Sequence, residues 1–241
     1  MITFEDVLQL AEEGNIDAMV VAIQELVWNT EFAIDSEPEL RAKVIEYLDT
    51  ALNAGNVEAM NQLGAMYHEG KVVEQDLYKS FLCYEMAAEN GHISGTCNLG
   101  FCYFYGDGVE KNYEKAYMAF SKAALVQDVP NAVIRLGDMF LNGYYVKKDV
   151  KATVDLYFRM KRKTEKNLGD FGNLQAYSDV MRRIGDLYFE GLGVEKDVAK
   201  AIKCYADALH CYELRERQND FYASEVLKKT KEKLKKAMEE I

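Results

Sequence analysis

The chain has 241 residues, with 29 Lys and Arg against 40 Asp and Glu, and its formal charge of −11 argues against phosphate-backbone binding and favours basic partners. Five cysteines, an odd number with no secretory signal ahead of them, argue against a disulfide framework, and no apolar run reaches membrane-spanning length. A cytoplasmic protein is expected, with neither nucleic acid nor membrane as partner.

Along residues 1–55 the clearest signal is Gly14-Asn15-Ile16-Asp17-Ala18-Met19, which parallels Gly55-Asn56-Val57-Glu58-Ala59-Met60. Ala22 and Ile23 hold the places where a Leu-Gly pair stands in later copies, so this part reads as a degenerate capping repeat. From residue 56 the pattern is strong. Leu63-Gly64, Leu99-Gly100, Leu136-Gly137 and Ile184-Gly185 are separated by 36, 37 and 48 residues. The same steps connect Gly70, Gly106, Gly143 and Gly191, then Val73, Val109, Val146 and Val194. They also connect Asp76, Asn112, Asp149 and Asp197, and finally Tyr84, Phe120, Tyr157 and Tyr205. A period of this length marks a stack of supersecondary units in place of one globular core.

Each unit reads as an amphipathic helix, a glycine loop and a second amphipathic helix. A helix-interior glycine costs about 1 kcal/mol relative to alanine, so four at one register predict a close approach by the second helix. The later glycines fall where a helix ends with positive φ, and the Asp or Asn that follows falls at the N-cap of the second helix. The recurring valine is expected to plug the turn onto the helix pair. Pro130 stands where a first helix begins, a position that suits it.

The 48-residue step implies an 11-residue insertion between Tyr157 and Ile184, within 158–183, with the basic segment Lys161 to Asp170 as its candidate. Extra residues there would lengthen one or both helices or enlarge the loop between units, and since charge runs are usually exposed the segment reads as a solvated loop in preference to a dedicated contact site. In the tail, Val226, Leu227, Leu234, Met238 and Ile241 fall on one helical stripe with lysines around it, which reads as a helix over 213–241 capping the last repeat. Pro38 and Pro130 are the only prolines and no Gly/Ser-rich linker divides the chain, so residues 1–241 read as one continuous array.

These residues resemble the Sel-one-like repeat (SLR), a branch of the tetratricopeptide-repeat superfamily. The copy with Leu99, Gly100, Tyr103, Gly106, Gly108, Val109, Lys115, Ala116, Phe120, Ala123 and Ala124 follows the repeat closely, as does Gly185, Tyr188, Gly191, Gly193, Val194, Asp197, Lys200, Ala201 and Tyr205. The resemblance covers roughly residues 56–212 and implies an all-α fold, a right-handed α/α solenoid of four helix-turn-helix repeats with capping helices. Val72 and Tyr145 replace the second loop glycine, and Lys151 falls one place early. The loop shape of those two copies is where a departure is expected. Secreted cysteine-rich members carry a cysteine pair in each unit; Cys97 occupies the first place here, and its mate would fall at Ala123 or Ala124, so that pair is absent. Cys83, Cys97, Cys102 and Cys204 read as small buried or half-buried side chains.

Little in the chain points to catalysis. His68, His92 and His210 lie in three different units, and Cys204, His210 and Cys211 do not converge as zinc ligands would. Gly106-Asp107-Gly108 and Gly191-Leu192-Gly193 follow helices where a phosphate loop would follow a strand. Some family members are linked to penicillin-like compounds, but no residue here is assigned as a nucleophile. No catalytic residue, cofactor or metal is expected.

In tetratricopeptide-like stacks the first helices line the concave surface at fixed offsets from the Leu-Gly pair. The resemblance therefore implies Asn61, Ala65 and His68; Cys97, Phe101 and Phe104; Ile134, Asp138 and Leu141; and Arg182, Asp186 and Phe189, with Glu190 at the edge. Phe101, Phe104, Leu141 and Phe189 would form an apolar strip edged by charge, or else pack into the helix stack or toward the chain's own terminal helix. The leading expectation is a non-enzymatic adaptor that binds a protein or peptide, with basic partners favoured. The alternatives are an immunity or inhibitor protein that neutralises a toxin or enzyme, and a hydrolase or small-molecule binder.

Overall fold

The computed structural model describes residues 3–29, 34–217 and 220–240, and these form an all-α chain. In order the helices are α1 (Phe4–Glu12), α2 (Ile16–Trp28), α3 (Pro38–Asn53), α4 (Val57–Glu69), α5 (Leu77–Glu89) and α6 (Ile93–Tyr105), followed by α7 (Tyr113–Gln127), α8 (Pro130–Asn142), α9 (Val150–Thr164), α10 (Phe171–Glu190), α11 (Val198–Arg217) and α12 (Phe221–Met238). A 3-10 turn, Ile34–Ser36, precedes α3. Contacts divide the chain into two compact units, Met1–Ala123 and Ala124–Ile241.

In the first unit the short turns explain the early echo. Gly14, Gly55 and Gly91 all take positive φ, and the next residue caps the following helix: Asn15 accepts from the Ala18 N–H, Asn56 from Ala59 and His92 from Gly95. Ala22, Ile23, Leu26, Val44, Ala51, Ala59 and Met66 form a common core under α1 to α4. Two long-range bonds secure it, from the Trp28 indole N–H to Gln62 at 2.9 Å and from Arg41 to the Val72 carbonyl at 2.6 Å.

The loop rules hold in every copy. Gly70, Gly106, Gly143 and Gly191 close the first helices in the left-handed conformation. Asp76, Asn112, Asp149 and Asp197 accept from the backbone N–H three residues on. The four valines are half-buried. The departure expected at Val72 and Tyr145 does not occur. Their φ values of 65° and 63° match those of Gly108 and Gly193 at 70° and 68°, so these copies keep the loop shape at the cost of backbone strain.

The second unit packs Tyr157, Met160, Val180, Met181, Ile184, Leu187 and Tyr212 into one core. Here the insertion enlarges a loop and lengthens a helix, but its place differs from the candidate segment Lys161 to Asp170. Residues 161–164 complete α9, which ends seven residues past Tyr157 just as α7 ends seven past Phe120. The extra residues are the lengthened loop 165–170 and the first two turns of α10, which has 20 residues where α4, α6 and α8 have 13. The basic run is partly engaged, with Lys163 reaching the Asp128 carbonyl and carboxylate at 2.7 and 3.0 Å.

The terminal helix α12 buries Ala223, Val226, Leu227, Thr230 and Ala237. Met238 does not join that face and is 62% exposed, a correction to the expected stripe; Ile241 lies outside the described residues. Ala and Thr occupy the close contacts because a small side chain lets the helix approach.

Candidate partner-binding site

The repeat glycines create the frame of the site. A Cβ on Gly64 would lie 2.7 Å from the Tyr84 ring, on Gly100 2.8 Å from Phe120, on Gly137 2.3 Å from Tyr157 and on Gly185 2.5 Å from Tyr205. Each glycine is thus the seat for the aromatic ring of its partner helix. The residue after the glycine then decides what that ring meets. Asp138 accepts the Tyr157 hydroxyl proton at 2.5 Å and Asp186 that of Tyr205 at 2.8 Å. Phe101 stands edge-on to Phe120 with ring centroids 5.2 Å apart. In the first copy the place belongs to Ala65.

A cavity of about 330 Å³ opens beside Tyr84, entirely within the first unit. His68 and Glu69 at the end of α4, Tyr84 of α5, Asn98, Phe101, Cys102 and Tyr105 of α6, and Asp107 in the following loop line it. Phe101 and Tyr105, one helical turn apart, hold their rings within 5° of parallel at a centroid distance of 6.2 Å. The His68 imidazole stands between two carboxylates, Nδ1 3.0 Å from Glu69 and Nε2 3.8 Å from Asp107. The hydrogen bond to Glu69 raises the His68 pKa; burial opposes this, and the charges of Glu69 and Asp107 add to the rise. The Asn98 side chain donates to Asn61 Oδ1 at 3.0 Å.

The residues implied by the resemblance therefore separate. His68 and Phe101 line the cavity, and Asn61, buried, supports it through Asn98. Phe104 turns toward the second helix, edge-on to Tyr113 at 5.3 Å and close to Phe120 at 6.2 Å. Tyr103 is buried, whereas Tyr105 is 47% exposed. In the second unit Asp138 is held by Arg183 Nε and Nη2, at 2.7 and 2.9 Å, and by Arg135 at 2.9 Å. Burial alone would raise its carboxyl, but the Arg183 and Arg135 charges with the Tyr157 hydroxyl outweigh it and hold the pKa at about 2. Asp186 likewise binds Arg182 and Lys233. Leu141 packs against the core of that unit. Phe189 is buried with Ala201, Tyr205 and Ala237, with Lys196 and Lys236 5.4 and 5.1 Å from its ring centre, so the chain's own terminal helix covers it. Glu190 is exposed.

Glu69, Tyr84, Asn98, Tyr105 and Asp107 were not foreseen. They come from a second helix, a loop and the flanks of the expected positions, and their one signal in the sequence is the small Ala65 where other copies carry Asp or Phe. As for reactive groups, burial pushes the thiols of Cys83, Cys204 and Cys211 up to about 11 and that of Cys102 to about 12, which keeps them protonated. Among the described residues no cluster of three His, Cys, Asp or Glu could hold a metal ion, and no helix is long and apolar enough to cross a membrane.

Glycine-seated helix pairs of this kind define an all-α repeat protein. The model of the Sel1 repeat matches residues 57–92, 93–125, 130–161 and 178–212, more than half of the chain, and the chain belongs to the Sel1 repeat family. No curated protein matches. Among solved structures, a Sel1 repeat protein from Oxalobacter formigenes is similar at 20% identity and TM-score 0.65, over 83% of this chain and 74% of that one. A protective antigen of uropathogenic Escherichia coli with an SLR fold is 20% identical at TM-score 0.55, over 94% of this chain; the match spans 59% of the antigen. A structure described as a sel1 repeat protein from Klebsiella pneumoniae subsp. pneumoniae is 16% identical at TM-score 0.55, over 95% of this chain and 99% of that one. At these identities the likeness is one of fold, an all-α repeat array of the SLR type.

Proposed function

We propose that the chain is a non-catalytic protein-binding scaffold, and that the cavity bounded by α4, α5 and α6 takes an extended segment of a protein partner. The observation that carries this reading is the open cavity beside Tyr84, in the copy that carries Ala65 where the others carry Phe101, Asp138 and Asp186. Membership of the Sel1 repeat family supports it, since such repeats commonly serve as interaction scaffolds. Aromatic walls with a few charges are what interface hot spots favour. Five cysteines, an odd number, support a reducing, cytoplasmic setting.

Site-specific photo-crosslinking tests the reading. A photoreactive phenylalanine analogue at Tyr105, on the cavity, is expected to crosslink one protein partner in cells. The same analogue at Met118, 58% exposed elsewhere in the first unit, is expected not to. Equal capture from both positions would contradict the assignment.

A further inference from the structure

Resting on that scaffold reading, we propose that the cavity of the first unit is a receptor for a single arginine side chain of an extended, basic partner segment, stacked on the Phe101–Tyr105 wall and paired with the Glu69 and Asp107 carboxylates. Phe101 and Tyr105 place a stacked aromatic pair in the lining, and an aromatic face suits a planar guanidinium. Glu69 and Asp107 come from different elements yet meet at one imidazole, so the position of His68 marks where positive charge is favoured. The lining includes two carboxylates and neither Lys nor Arg. At about 330 Å³ the space accepts a side chain, not a helix.

The chain already uses this chemistry internally. Lys79 lies 5.3 Å from the centre of the Tyr67 ring, Lys115 4.9 Å from Tyr103 and Lys200 5.4 Å from Tyr188, one such pair in three of the four repeats. An acidic segment would bring its charge against Glu69 and Asp107, within a molecule whose net charge is −11. A guanidinium is favoured over an ammonium because it can stack and donate to a carboxylate in two directions at once.

The test is a nuclear magnetic resonance titration of the full chain with three pools of capped hexapeptides, identical except for arginine, its neutral isostere citrulline, or glutamate at the third position. The arginine pool is expected to shift the resonances of Phe101, Tyr105 and Asp107. Its affinity should exceed that of the citrulline pool by about tenfold, the worth of one charge-assisted contact. Asp107→Asn should remove most of that difference, with the fold checked by circular dichroism. Because the citrulline comparison uses the unaltered chain, it stands even if the variant fails to fold. Equal binding of citrulline and arginine, or tighter binding of glutamate, would overturn the arginine assignment and leave the scaffold reading standing. If no pool moves these resonances, the assignment also falls, and crosslinking from position 105 then decides whether the scaffold reading falls with it.

Discussion

Gly185 and Gly172 lie in the same helix under opposite constraints. A Cβ on Gly185 would press within 2.5 Å of the buried Tyr205 ring, whereas one on Gly172 would meet only the Asp170 carboxylate at 3.4 Å. Gly185→Ala is therefore expected to destabilise by about 1–2 kcal/mol, overpacking outweighing the gain in helix propensity. Gly172→Ala should stabilise by about 0.5 kcal/mol. Urea unfolding of both variants checks the pair. At Tyr145, which holds φ 63° and is 54% exposed, replacement by glycine relieves strain and should raise stability by up to about 1 kcal/mol, read as a higher thermal midpoint. Asp138 adds a pH dependence. Its carboxyl lies below the ordinary value of 3.8, so its stabilisation is complete above that value and is lost as pH falls toward 2. Asp138→Asn strands the Arg183 charge and should cost about 3 kcal/mol at neutral pH. The same substitution should flatten the stability profile between pH 4 and 2, as measured by denaturant titration at each pH.

At the scale of elements, helix pairs and caps were legible because each depends on one residue type at one place: a glycine under a ring, a left-handed glycine, an Asp or Asn at the N-cap. The repeat lysine was legible too, and the structure supplies its reason in the Lys79, Lys115 and Lys200 contacts with tyrosine rings. Where Lys151 falls early, Ala152 stands at that place. Less legible was the buried face of α12, since apolar character favoured Met238 while packing selected Ala237 and Thr230. The site was read only in part. His68 and Phe101 followed from offsets along the first helix, but Tyr84 and Asp107 arrive from elements that such offsets leave out. Because α12 covers Phe189 and its neighbours, Leu227→Asp, which places charge at a side chain 6% exposed, should lower the thermal midpoint and promote aggregation. An unchanged midpoint would show that α12 is not a cap.

At the scale of the molecule, the scaffold residues are those that repeat, and the proposed binding residues are those that differ between copies. Ala65 is the clearest such difference, since Asp138, Asp186 and Phe101 occupy its place in the other repeats and each engages the ring seated on the neighbouring glycine. The direct test is Ala65→Phe, which introduces without any change of charge the side chain that Phe101 already presents to Phe120. Circular dichroism and the thermal midpoint should show the fold retained, while crosslinking from position 105 to the protein partner falls at least tenfold. Retained fold with undiminished crosslinking would contradict the claim that the open repeat beside Tyr84 is where this protein binds.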